Sequence, residues 1–251
     1  MFYMKAHTYR LVGTVLVMAV IVGCASLATV ATPSLEPKKD TLESTEHGWW
    51  HTRFVIKWPE EKEPSWHVDL LLAREIVSPV LHQHKKDIVL WRFHRRAVRD
   101  AIRHQFSFIF YSSPETAREV YSGMQSHPLL AALKRAGIVM KDSYDDTTQM
   151  SQPRIEDTSD LDWSSPIKKS WPYYMMGVSQ MWLHLIGEIT EDLSKETASL
   201  SVQDLEAFYQ EVNASLEATW GEEGGHAFLH HLDALFEYKP VIIYERRLMT
   251  F

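Results

Sequence analysis

The chain of 251 residues contains a single cysteine, Cys24, and this constrains its fold more than any other feature. One cysteine cannot form a disulfide within the chain, so the folded part must be stabilised by its core even in an oxidising compartment. Hydrophobic residues make up 45% of the sequence and aromatic residues 12%, which indicates a packed globule. The roughly 200 residues beyond the N-terminal region suffice for one domain of ordinary size or two small ones.

An uncharged apolar run over residues 11–23 leads directly to Cys24, and Lys5 and Arg10 precede it. A basic start, a short apolar stretch and small residues at its end are the layout of a secretory signal peptide. The run is too short for a membrane-spanning helix, which needs about 20 apolar residues. The sequence therefore predicts a signal peptide over residues 1–23. The alternatives are an ordinary signal peptide with a chance cysteine and an uncleaved anchor.

The segment Ile21-Val22-Gly23-Cys24 resembles the lipobox of bacterial lipoproteins. In that family the cysteine thiol receives a diacylglyceryl group, the chain is cut before the cysteine, and the new amino terminus is usually acylated. The resemblance implies that Cys24 is the lipidation site and that the protein is anchored on the periplasmic side of a membrane. Two or three acyl chains make such an anchor effectively permanent, because each buried methylene contributes about 0.8 kcal/mol.

The residues after Cys24 bear on which membrane and which partners the protein meets. Ala25 and Ser26 stand where family members retained in the inner membrane tend to carry aspartate, so the resemblance favours the outer membrane. Residues 24–48 are small, polar and proline-containing, which predicts a flexible tether.

The net charge of −7 makes nucleic acid an unsuitable partner. We expect a protein partner or an anionic small ligand instead.

Residues 49–145 carry an alternation of strand and helix patterns. Apolar side chains alternate with polar ones in the strand segments, most clearly at Phe106, Phe108 and Phe110. Strands are predicted at 51–58, 88–96, 103–113 and 138–144.

Two segments between these strands have helical spacing. The first, 65–87, is expected to bend at Pro79. The second, 113–137, has Ser113 as its cap and a break near Pro128. The resulting order, β-α-β-β-α-β, is that of a ferredoxin-like sandwich, an antiparallel sheet with two helices on one face. The predicted fold class is α+β.

The second half of the chain is predicted to be helical. Residues 146–170 are rich in Asp, Ser, Thr and Pro and are predicted to form a surface loop. Residues 171–251 form the helical half, which we expect to pack on the first half because its first helix is too apolar to face water. Helices are predicted at 172–196, 201–220 and 224–238, followed by a terminal strand at 240–251.

One face of the predicted sheet gathers positive and hydrogen-bonding side chains. If the aromatic face meets the helices, the other carries the candidate ligand-binding residues Arg53, Arg92, His94, Arg96, Ser107 and Tyr111, together with Lys57 and Gln105. Arginine suits carboxylate and phosphate because its guanidinium donates two parallel hydrogen bonds. The face therefore predicts a site for an anionic ligand or an acidic peptide. The alternative is that the C-terminal helices cover this face.

Histidine is abundant, with 13 in the chain, and one pair has metal-ligand spacing. His226 and His230 lie four residues apart on a predicted helix, so both point to one side. Ala227 stands where a metalloprotease helix carries its glutamate, which excludes that chemistry. A zinc or copper site remains, with His231 or Asp233 as further ligands. The alternative is that these histidines cap and hydrogen-bond a partly buried helix.

A second resemblance covers residues 67–110, which are similar to part of the C-terminal, thiopeptide-type bacteriocin biosynthesis domain of lantibiotic dehydratases. Asp69, Trp91, Arg95 and His104 fall on positions matching that family's motifs. Phe106 and Phe108 stand where the family has arginines of its working surface, and Arg96 replaces a tyrosine. The resemblance implies a shared fold without the elimination chemistry of that family.

These observations favour a membrane-anchored lipoprotein that acts through binding in the envelope rather than catalysis. The alternative is a small enzyme or metal-binding protein that uses Arg92, His94 and Arg96, or the His226–His230 pair. No nucleophile motif or phosphate-cradling glycine loop is found in the sequence.

Overall fold

A computed structural model of the chain describes residues 46–193, 197 and 200–237. These residues belong to one of two compact units, the one that begins at Thr41. The predicted signal peptide, the lipidation site at Cys24, most of the tether and the terminal strand at 240–251 lie outside the described residues. Within the described part of the chain, no helix combines the length and the apolar character needed to cross a bilayer.

A four-stranded antiparallel sheet lies at the centre of the fold. Its strands are β1 (Gly48–Ile56), β2 (Leu90–Ala97), β3 (His104–Ser112) and β4 (Val139–Tyr144). They are arranged in the order β2-β3-β1-β4, and every neighbouring pair is antiparallel. Each predicted strand in this half is found, and the α+β class is confirmed.

Alternation along β3 gives the sheet two different faces, because successive side chains of a strand point to opposite sides. On one face Phe106, Phe108 and Phe110 are fully buried in the main core. On the other face Ile109 and Tyr111 belong to a second, smaller apolar cluster. Truncation of one buried phenylalanine to alanine typically costs about 3–5 kcal/mol, so the aromatic stripe of β3 is a major source of stability.

The helices between the strands follow the sequence signals closely. A continuous helical segment consists of α1 (Trp66–Leu71), a π-helical turn (Leu72–Val77) and α2 (Ser78–Gln83). The widened turn directly precedes Pro79, which has no N–H to donate.

The second predicted helix is divided into α3 (Pro114–Gln125) and α4 (Pro128–Arg135), so the predicted break is confirmed. Ser113 caps α3, since its hydroxyl accepts a hydrogen bond from the Thr116 N–H at 3.2 Å.

The predicted loop at 146–170 is too long. A 3₁₀ turn (Ile155–Thr158) interrupts it, and α5 (Ser165–Asp192) begins five residues before its end and continues through Pro172. Pro166 lies in the first turn of α5, where proline is favoured, and Pro172 lies inside the helix. The remaining described elements are α6 (Val202–Thr219), a second π-helical segment (Trp220–His230) and α7 (His231–Leu235).

Helix α5 joins the two halves by crossing the edge of the sheet at β2. The Ser179 hydroxyl accepts a hydrogen bond from the backbone N–H of Phe93 at 3.0 Å. On the core side of this edge, the Trp182 ring packs 5.4 Å from the ring of Phe93, centroid to centroid. On the other side, Met176 packs against the cluster that contains Tyr111. Helix α5 therefore covers only one end of the second face.

Candidate functional site: a cationic sheet face

The pairing register places the positively charged candidate residues in adjacent rows on the second face. His94 lies opposite Ser107, which lies opposite Arg53 on β1. Arg96 lies opposite Gln105, and Arg92 lies opposite Ile109. Because residues directly opposite in an antiparallel pair share a face, the sheet brings Arg92, His94, Arg96 and Arg53 to the same surface, as the sequence predicts.

Arg53 is neutralised within the protein. Its Nη1 donates to Asp145 Oδ1 at 2.7 Å, and His51 Nδ1 lies 2.8 Å from the other oxygen of that carboxylate. Burial opposes the charged form of Asp145, but the hydrogen bonds from His51 and Arg53 outweigh it and hold the pKa of Asp145 below its usual value. Arg53 thus contributes to the charge of the face mainly as part of an ion pair.

Arg92, His94 and Arg96 form a line of basic residues at the sheet edge, here called the β2 cation cluster. Arg96 is bound by Asp100 in the following turn, and this pair lowers the pKa of the Asp100 carboxyl. Part of the His94 side chain faces solvent, and burial of the rest together with the charges of Arg92 and Arg96 lowers its pKa below the usual value. His94 is therefore neutral at pH 7.

Arg92 is the charge in this cluster that the described residues do not balance. It has no carboxylate within 4.0 Å and donates no hydrogen bond within the described part of the chain, and its Nε is buried without a partner. Burial lowers the pKa of the Arg92 guanidinium, although not enough to remove its charge near neutral pH. A buried donor without an acceptor costs about 1–3 kcal/mol, so an incoming anion would relieve a real penalty at this position.

Two of the predicted ligand-binding residues are not available at the surface. The Tyr111 side chain is fully buried beneath Met176 and Ile155, and its hydroxyl donates to the Pro153 carbonyl at 2.7 Å. Ser107 is buried as well, and its hydroxyl accepts from Gln105 Nε2 at 3.0 Å. Packing from the second half therefore covers one end of the face at Tyr111, as in the alternative of a covered face, and neighbouring side chains bury Ser107 at its centre.

Lys141 belongs to the same face and was missed in the sequence. It lies opposite Val55, which lies opposite Gln105, and its side chain is exposed. The alternation of side chains along β4 was a usable signal that Lys141 lies on this face. The register of β4 shifts between Val55 and Ile56, however, and a shift of this kind cannot be read from residue types.

The residues of the dehydratase resemblance come together in part, on the core side of the sheet. Asp69 is fully buried and accepts a hydrogen bond from Arg95 Nε at 2.7 Å, while His104 Nε2 lies 3.0 Å from its second oxygen. The guanidinium carbon of Arg95 stands 4.9 Å from the centre of the Trp66 ring. Trp91 is not part of this group and packs against Phe93. This buried group has the contacts of a structural charge network.

The histidine pair of the C-terminal helices is exposed. The rings of His226 and His230 stack with centroids 5.1 Å apart, and the His231 ring lies 5.5 Å from that of His226. In the part of the chain that the structure describes, no group of three or more His, Cys, Asp or Glu residues is placed to hold a metal ion. Asp233 does not complete such a group.

Comparisons with known proteins do not assign the chain to a family. No family model matches it, and no curated protein matches it. Among solved structures, "Crystal structure of TsrL" matches with a TM-score of 0.33 and 15% sequence identity. The match covers 76% of this chain and 55% of that one, so the chain spans about half the length of this neighbour. A likeness this distant carries no functional conclusion.

Proposed function

We propose that this protein is a membrane-anchored lipoprotein that binds an anionic group of a partner or small ligand on its sheet face, without catalysis. The binding residues are those of the β2 cation cluster, with Arg53 and Lys141 as the basic surroundings. The buried side chains of Ser107 and Tyr111 support the sheet below these binding residues.

The unbalanced charge of Arg92 is the observation that carries this proposal. The other arginines of the face are held by carboxylates, Arg53 by Asp145 and Arg96 by Asp100. Arg92 keeps a partly buried guanidinium with an unpaired Nε at one end of the β2 cation cluster, in a chain of net charge −7. Such an arrangement is costly for stability alone and suits the capture of carboxylate or phosphate.

The anchor and its location rest on the N-terminal segment. The lipobox resemblance at Ile21-Val22-Gly23-Cys24 supports lipidation of Cys24, and Ala25-Ser26 support the outer membrane over the inner one. The small, polar and proline-containing composition of residues 24–48 supports a flexible tether between the anchor and the folded part.

The fold assignment that we propose for residues 48–144 is a ferredoxin-like sandwich. Its support is the strand order β2-β3-β1-β4 with antiparallel pairing throughout, and the placement of a helical segment in each of the two crossovers. In such a sandwich one sheet face is left without helices of its own, and that is the face on which the β2 cation cluster lies.

Anion titration of paired variants tests the proposal. Inorganic pyrophosphate and citrate, as phosphate and carboxylate probes, should bind the wild-type protein and raise its unfolding temperature. Arg92→Gln should weaken both by about 10-fold or more, since hydrogen bonds to charged groups contribute about 1.5–3 kcal/mol. Arg118→Gln is the matched control, because Arg118 is an exposed arginine on α3 paired with Glu115. Equal affinities for the two variants would refute the proposed site.

A further inference from the structure

An apolar cavity of about 480 Å³ opens beside the β2 cation cluster. It lies between the edge of β2, the middle of α5, the end of α6 and the π-helical segment Trp220–His230. Its walls are mainly aromatic and aliphatic, and they include Phe93, Trp182, Leu185, Leu216, Trp220 and Phe228. This volume is within the range of about 300–1,000 Å³ that is typical of small-molecule sites.

The walls of this cavity are held in place by specific packing. On the inner side, Trp182 packs edge-on against Phe93, and the Arg95 guanidinium carbon lies 5.1 Å from the centre of the Trp182 ring. On the outer side, the rings of Trp220 and Phe228 stack 5.6 Å apart, centroid to centroid. Gly224 makes room for this outer wall, because a Cβ at that position would lie 2.6 Å from the Trp220 ring.

The charges at the rim of the cavity are unevenly distributed. His94 of the β2 cation cluster is one of the lining residues, and Arg92 and Arg96 lie two residues away on the same sheet face. Arg95 also lines the cavity, but its charge is balanced by the buried Asp69. Among the described residues of the lining, Glu217 is the single acidic one, and it accepts a hydrogen bond from Asn213 at 2.8 Å. A ligand there would meet an apolar interior with His94 at the rim, and the charge of Arg92 lies outside the lining on the adjacent sheet face.

We propose that the cavity binds the aliphatic chain of a medium-chain fatty acid, with the carboxylate held at the rim by His94 and Arg92. An apolar chain fits the aromatic walls, and a monoanionic head complements Arg92, the arginine of the β2 cation cluster that no described carboxylate pairs. This inference rests on the proposed function, because it places the anionic group at the same β2 cation cluster and adds the class of molecule that carries it.

Calorimetric titration with straight-chain probes tests the inference. The full mature chain carrying Cys24→Ser is used, so that neither a lipid anchor nor detergent competes for the cavity. Affinity should rise from butyrate to dodecanoate by up to about 4-fold per added methylene, because each buried CH₂ contributes about that factor. Dodecanol should bind at least about 10-fold more weakly than dodecanoate, since it lacks the charge that Arg92 balances.

Two kinds of variant test the carboxylate-binding part and the chain-binding part of the site separately. Arg92→Gln should weaken dodecanoate by about 10-fold and leave dodecanol unchanged. Val178→Phe, which fills the cavity from α5, should abolish chain-length dependence while leaving pyrophosphate binding intact. Leu185→Phe is a second filling variant if the first unfolds the protein, and Ile167→Phe, at an exposed position of α5 outside the cavity, is the control.

The titrations with dodecanoate and pyrophosphate distinguish a failure of this inference from a failure of the proposed function on which it rests. Dodecanoate binding no more tightly than butyrate, with pyrophosphate binding still dependent on Arg92, would overturn the fatty acid site and leave the anion site standing. If Arg92→Gln does not change the affinity for dodecanoate, this inference is overturned. If Arg92→Gln also leaves the affinity for pyrophosphate unchanged, the proposed function is overturned as well.

Discussion

The Phe93 N–H donates to the Ser179 hydroxyl across 3.0 Å, and this contact closes the edge of the sheet with a helix from the second half of the chain. An unpaired strand edge invites pairing with other chains, and covering it with a helix is one of the ways proteins prevent this. The contact also fixes α5 beside His94, so it determines where the apolar cavity and the β2 cation cluster meet.

Replacing Ser179 by alanine should destabilise the protein by about 1–3 kcal/mol, because the buried Phe93 N–H would lose its acceptor. Urea unfolding measures this change. Ser170→Ala, at an exposed position on the same helix, is the control and should be close to neutral. Equal effects of the two substitutions would show that the edge contact does not contribute to stability.

The buried network around Asp69 should be among the most sensitive positions of the fold. Asp69→Asn leaves Arg95 without its carboxylate, and breaking a buried ion pair from one side typically costs about 3–5 kcal/mol. The free energy of unfolding should fall by that amount, whereas Asp87→Asn at an exposed position should change it little. If Asp69→Asn is tolerated as well as Asp87→Asn, the network is not structural.

Asp145 should make stability depend on pH in the acidic range. Its folded-state pKa is depressed by His51 and Arg53 despite burial, so its contribution is present above the unfolded value of about 4 and is lost as pH falls through the folded value. The difference in unfolding free energy between wild type and Asp145→Asn should therefore be largest near pH 7 and shrink below pH 4. Asp160→Asn, at an exposed position outside this ion pair, is the control. A difference that is constant with pH would contradict the ion-pair account.

Anion binding should strengthen on mild acidification. His94 has a lowered pKa because burial and the charges of Arg92 and Arg96 disfavour its protonation, so it gains charge only below its usual range near 6.5. Dodecanoate affinity should rise as pH falls from 7 to 6, where the carboxylate probe stays ionised, and His94→Gln should remove most of that rise. A pH profile unchanged by His94→Gln would exclude His94 from the site.

Local signals in the sequence were sufficient for the first half of the fold. The alternation of Phe106, Phe108 and Phe110 located a strand and its buried face, and Ser113 with Pro114 located a helix start. The same alternation placed Arg92, His94 and Arg96 together on the opposite face. These features depend on residues close in sequence, where periodicity and capping dominate.

Long-range packing accounts for what the sequence did not reveal. The burial of Tyr111 depends on Met176 and Ile155, which lie more than forty residues away, and the pairing of Arg53 with Asp145 spans 92 residues. The start of α5 was misplaced because residues 165–170 were assigned to the polar loop, although Pro166 lies where proline is favoured in a first helical turn. Asp69, Arg95 and His104 come from α1, β2 and β3 and meet in the fold, a contact that periodicity alone would not predict.

Intact-mass spectrometry of the protein purified from its native membranes tests the central claim, lipid anchoring through Cys24, most directly. The account predicts a polypeptide that begins at Cys24 and carries the mass of a diacylglyceryl group, with a further acyl group where the amino terminus is modified. A free thiol at Cys24, or a chain that retains residues 1–23, would contradict it.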